Sequence, residues 1–134
     1  MQTLAFLAVL LSAAYLLALG AGALARPDPT ARFLGQFAQT RRTHALELAL
    51  RIIAGVALIV RAPHMHFERA FGAFGWALVG TSLALAVIPW RLHQRFARWV
   101  VPQMARHLPF IGVSSALGGL VLLGALLIPR SPGP

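Results

Sequence analysis

The chain has 134 residues, of which 58% are hydrophobic and 11% are charged, whereas an ordinary soluble domain has about 25% charged residues. A soluble chain of this size could not bury so much apolar surface, so the composition predicts an integral membrane protein. The formal net charge is +9, and every basic residue is an arginine. Because the arginines lie between apolar runs, we expect anionic lipid headgroups as their partners and no nucleic acid. Cysteine is absent, which excludes disulfides, thiol catalysis and cysteine-ligated metal sites.

Three long stretches without a charged side chain predict membrane-spanning helices, at about 3–25, 70–90 and 108–129. Each has the roughly 20 residues that a helix needs to cross about 30 Å of hydrocarbon. No lysine or arginine precedes the first stretch, and it is longer than the apolar region of a signal peptide. We therefore expect it to be a retained helix, although Ala23-Leu24-Ala25 resembles a cleavage site.

A fourth span at about 44–62 is less apolar, because it includes Glu47 and Arg51. We include it because Ala62-Pro63 provides a stop and because the topology otherwise fails. The sequence thus predicts an all-α fold with four transmembrane helices in a single membrane domain, 1–134.

The arginines also predict an orientation. The segments after the first and third spans contain eight arginines, whereas the segments after the second and fourth spans contain three. Since cytoplasmic loops are enriched in arginine and lysine, we expect the two long loops in the cytoplasm and both termini outside, in a bacterial inner membrane.

Each long loop predicts a short amphipathic helix lying in the membrane interface. In the second loop, the candidates for contact with lipid headgroups are Arg91, Arg95, Arg98 and Trp99. In the first loop, Phe33, Leu34 and Phe37 repeat the apolar pattern more weakly.

A shift of 63 residues superposes Arg32-Phe33 on Arg95-Phe96, His44 on His107 and Gly55 on Gly118. This internal similarity divides the chain into repeat halves 1–63 and 64–134. It predicts two similar helical hairpins, each with an interfacial helix in its loop.

The polar residues of the second span are His44, Glu47 and Arg51, and their spacing places them on one helical face. A charge at this depth costs a few kcal/mol on insertion scales, so it usually faces protein, water or a partner charge. One interpretation is a proton or ion relay or an anion site. The other, which we favour, is a self-neutralising pair that holds helices together.

Two cofactor alternatives arise from the histidines, although no cofactor is predicted. His64 and His66, followed by Glu68, have a spacing that can bind zinc or copper, but a solvated polar turn explains them more simply. Haem would require two facing imidazoles, and His44 and His107 are the plausible pair.

Small residues in the fourth span mark helix contacts. Gly112, Ser115 and Gly119 form one stripe, and Ser114 and Gly118 run beside it. Both stripes predict close packing against another helix.

The function predicted from these features is that of a non-catalytic small multi-pass protein, a structural or accessory subunit of a membrane complex. It would associate with other membrane subunits or with itself. With three acidic residues in all and no phosphate-binding loop or catalytic triad, an enzyme is not expected. The first alternative is a small oligomeric transporter or channel that uses Glu47 and Arg51. The second is a haem- or quinone-linked membrane redox subunit.

Overall fold

A computed structural model describes residues 1–36, 39–128 and 130, and these residues form six α-helices and one short 3-10 helix. No strand occurs in these ranges, so the predicted all-α class is confirmed. Phe37 of the first loop and Pro129, where the last predicted span ends, lie outside the described residues. The α-helices are α1 (Gln2–Ala25), α2 (Pro27–Gln36), α3 (Arg41–Arg61), α4 (Glu68–Val87), α5 (Trp90–Arg106) and α6 (Leu108–Leu127), with the 3-10 helix at Ala62–His64 between α3 and α4.

Within the described part of the chain, three helices are long and apolar enough to cross a membrane: α1, α4 and α6. Helix α3 is 21 residues long, but it carries four arginines and Glu47, and it is not among the three. The predicted number of four membrane helices is therefore not confirmed, because the charges of α3 reduce its hydropathy.

The long helices pack as two antiparallel pairs, α1 with α6 and α3 with α4, and α1 also contacts α3. The predicted hairpins paired the first span with the second and the third with the fourth, and this hairpin arrangement is not confirmed. Glycines explain the pairing. A Cβ atom on Gly20 would lie 2.8 Å from the Gly112 carbonyl oxygen of α6, and one on Gly75 would lie 2.8 Å from the Gly55 carbonyl oxygen. Only glycine lets these backbones approach so closely.

The buried core lies toward the end of the molecule where α1 begins and α3 and α6 finish. At this end Arg61 links α3 to α1, because its guanidinium donates to Gln2 Oε1 at 3.4 Å and lies 5.4 Å from the centre of the Phe6 ring. The opposite end carries α2 and α5, which contact each other, and is called the arginine-rich end below. The core residues are Ala5, Val9, Ala13, Ala57, Leu58, Met65, Leu122, Ala125 and Leu126.

Candidate functional site

The principal polar site lies on α3, where His44, Glu47 and Arg51 occupy successive turns of one face. Exposed apolar side chains occupy another face of the same helix. They recur at helical spacing and comprise Leu46, Leu50, Ile53 and Val56. The polar face of α3 is turned toward α4 and α5, which supply the remaining members of the site.

Arg51 is held by three side chains. Its Nη1 atom lies 3.6 Å from Glu47 Oε1, its Nε donates to Ser82 Oγ at 3.1 Å, and its Nη2 donates to Thr81 Oγ1 at 3.1 Å. The Arg51 and Glu47 side chains stay 33% and 30% exposed, whereas Ser82 is fully buried. The guanidinium therefore has both a counter-charge and neutral acceptors, while one part of the pair remains accessible.

The two α4 hydroxyls are oriented to accept from Arg51. Ser82 Oγ donates to the Leu78 carbonyl at 2.6 Å, and Thr81 Oγ1 donates to the Ala77 carbonyl at 2.7 Å. Because each hydroxyl proton points to its own helix, the oxygen lone pairs are free for the guanidinium. From the sequence, we would interpret Thr81 and Ser82 as packing residues. The signal available was that adjacent hydroxyls occur in an otherwise apolar helix.

The imidazole of His44 packs on that of His93, which α5 contributes. The ring centroids are 4.3 Å apart and the rings are inclined by 33°. His44 is 6% exposed, and its buried Nδ1 atom has no hydrogen-bond partner. One ligand atom from each of His44, Glu47 and His93 lies within 4.8 Å of the others. Sequence reasoning missed His93, because only the packing of α5 on α3 brings it here.

The other predicted histidines lie elsewhere. His64 is exposed at the end of the 3-10 helix, and His66 follows it. His107 is exposed at the junction of α5 and α6. Among residues 1–36, 39–128 and 130, no other group of three metal-ligating side chains is brought together. Haem ligation by His44 and His107 stays an untested alternative.

The proposed headgroup residues all lie exposed on α5, a helix with no buried residue. Trp99 packs on Phe96 with ring centroids 6.5 Å apart, which gives α5 an exposed aromatic pair. The other predicted headgroup residues are the arginines at the start and middle of α5, namely Arg91, Arg95 and Arg98.

The small residues of α6 divide between two surfaces. Gly112 and Gly119 are buried against α1, and a Cβ atom on either would meet α1 atoms within about 3 Å. Ser115 is half-buried, whereas Ser114 and Gly118 are exposed. A Cβ atom on Gly118 would meet nothing within 4 Å. One stripe therefore serves internal packing and the other faces outward.

The site combines a guanidinium, a carboxylate, two imidazoles and two hydroxyls at the arginine-rich side of an apolar bundle. Such a set can bind an ion or transfer a proton, and it contains no activated nucleophile of the serine or cysteine type. Comparison of the chain with known protein families, with curated proteins and with solved structures gives no match.

Proposed function

We propose that the chain crosses a bacterial inner membrane four times, through α1, α3, α4 and α6, with the arginine-rich end in the cytoplasm and both termini outside. The exposed apolar face of α3 supports a lipid-facing position for this helix, and its Glu47 and Arg51 turn toward protein partners. The positive-inside rule supports the orientation.

The two helices of the arginine-rich end, α2 and α5, would lie at the cytoplasmic headgroup level. Helix α5 supports this placement, since its arginines and its aromatic pair are all exposed. No residue of this helix is buried against the rest of the protein. Arginines would contact anionic phosphates, while Phe96 and Trp99 would enter the acyl boundary.

In this setting, the protein would act as a non-catalytic structural or accessory subunit of a membrane complex. The observation that carries this proposal is the outward face of α4. Small side chains at helical spacing are exposed there, so another transmembrane helix could approach the backbone closely. A Cβ atom on Gly80, in the middle of this face, would meet nothing within 4 Å. The face comprises Ala73, Ala77, Gly80 and Ala84.

Purification in a mild detergent, followed by mass spectrometry of co-eluting chains, tests this function. We expect a membrane-protein partner to co-elute in stoichiometric amount. Gly80→Val should reduce the affinity for this partner at least about tenfold, because a loss of 1.4 kcal/mol of packing energy is a tenfold change in binding. The comparison variant is Gly118→Val, which adds the same side chain to the outward stripe of small residues on α6 and so distinguishes docking on α4 from docking on α6.

Loss of the partner in Gly80→Val but not in Gly118→Val would support docking on α4. A solitary monomer from native membranes would contradict a subunit function. Equal retention of the partner by both variants would contradict the α4 face.

A small oligomeric transporter or channel is the second candidate, and the partial exposure of the Arg51–Glu47 pair favours it. An intramembrane ion pair with an accessible side can bind an ion or relay a proton. In proteoliposomes, Glu47→Gln should then abolish gradient-driven flux. The matched control, Glu68→Gln, alters the carboxylate that pairs with Arg130 at 2.8 Å, and it should leave flux unchanged. Flux that survives Glu47→Gln, or that is absent from the wild type under proton, cation and anion gradients, would exclude this candidate.

A further inference from the structure

We propose that His44, Glu47 and His93 bind a divalent transition-metal ion of the zinc class between α3 and α5. This site is independent of the subunit function above. It also differs from the sequence-based metal candidates, His64 and His66, which lie in the connection between α3 and α4.

The geometry suits three ligands of one ion. His44 and Glu47 are three residues apart on α3 and share a face, while His93 approaches from α5. Their ligand atoms all lie within 4.8 Å of one another. Around a tetrahedral zinc ion, with bonds of about 2.0–2.2 Å, ligand atoms are about 3.3 Å apart. Small side-chain rotations that bring the atoms about 1.5 Å closer would complete the set.

A second observation points to a ligand. His44 is 6% exposed, yet its buried Nδ1 atom has no hydrogen-bond partner. A buried polar atom left unpaired costs about 1–3 kcal/mol. A metal ion bound at Nδ1 would give this buried atom the partner that it lacks.

The donor set selects the class of ion. Two imidazoles and one carboxylate suit zinc and its first-row neighbours, whereas magnesium and calcium prefer oxygen ligands alone. Arg51, 3.6 Å from Glu47 Oε1, would orient the carboxylate as an outer-shell partner and leave its second oxygen for the metal. Three protein ligands leave a fourth position for water.

The bound ion would fasten α5 to α3. Because α5 has no buried residue, its attachment to the bundle depends on few side-chain contacts, and His93 is one of them. Metal occupancy would therefore control whether the arginine-rich helix is held against the bundle.

The test uses the full chain without an oligohistidine tag, stripped with a chelator in detergent micelles and titrated with Zn²⁺ alone. We expect one ion per chain by calorimetry and by elemental analysis. Co²⁺ should give the visible absorption of a tetrahedral site. His93→Ala should lower the affinity at least about 100-fold, since loss of an outer-shell partner alone costs about 10–100-fold.

We expect His93→Ala to fold as the wild type does, because His93 is half-buried on a helix with no buried residue. Glu47→Gln should also weaken binding, and the double variant His64→Ala/His66→Ala should bind as the wild type does. A wild-type chain that binds no Zn²⁺, or a His93→Ala variant with unchanged affinity, would overturn the proposal. Loss of binding in the His64→Ala/His66→Ala variant would show that the ion binds at these two histidines, and it would overturn the proposal as well.

Discussion

Replacing Gly75 with valine should lower the free energy of unfolding by about 3 kcal/mol, the upper part of the range for overpacking a close contact. An added Cβ atom would lie 2.8 Å from the Gly55 carbonyl oxygen and 2.9 Å from Ile59 Cγ1. The backbone of α3 cannot move aside as a flexible side chain could, so α3 and α4 would have to separate. Titration of the purified protein from mild detergent into sodium dodecyl sulfate, followed by circular dichroism, measures the change.

Gly80→Val is the matched control, because it makes the same substitution five residues further along α4, where the new Cβ atom would meet nothing within 4 Å. In the isolated chain, it should change stability by less than about 0.5 kcal/mol. Similar losses in both variants would show that valine itself disfavours α4 and that the approach of the two backbones is unimportant.

Glu47→Leu should destabilise the protein by about 3 kcal/mol, because it removes the counter-charge of Arg51 and leaves only neutral acceptors. Breaking one half of a buried pair typically costs about 3–5 kcal/mol, and the partial exposure of this pair favours the lower end. The double variant Glu47→Leu/Arg51→Leu should recover to within about 1 kcal/mol of the wild type, since apolar residues replace such pairs at little cost.

The same titration, with a chelator present so that metal binding contributes nothing, measures both variants. Glu68→Leu is the control. Its ion pair with Arg130 is about half exposed, at 46% and 53%, and should contribute less than about 1 kcal/mol. A double variant as unstable as Glu47→Leu would show that Arg51 is needed for its bonds to Ser82 and Thr81 rather than as the partner of a charge.

The helices of this protein could be predicted from the sequence, because long uncharged apolar runs dictate where α1, α4 and α6 form. Helix α3 was the difficult element. Its charged residues interrupt the apolar pattern, and the contacts of Arg51 with Glu47, Ser82 and Thr81 explain how a helix at this position carries this arginine.

The site could be predicted only in part. His44, Glu47 and Arg51 could be identified as a group because they belong to one helix, whose periodicity is known. His93 and Ser82 could not, because they come from other helices, and helix packing places them. That packing depends on the backbone approaches at Gly20 and Gly55, which are properties of helix pairs rather than of any one stretch of sequence.

The pairing of α1 with α6 has a consequence for biosynthesis. If the chain inserts as proposed, α1 leaves the ribosome first among the described helices and α6 last, so the Gly20 surface of α1 stays uncovered until α6 has been made. Contacts between segments so distant along a chain form slowly, because the entropy of closing the long loop must be lost first. The α1–α6 pair can therefore form only after translation has passed α6, and until then the Gly20 surface of α1 would be open to other helices.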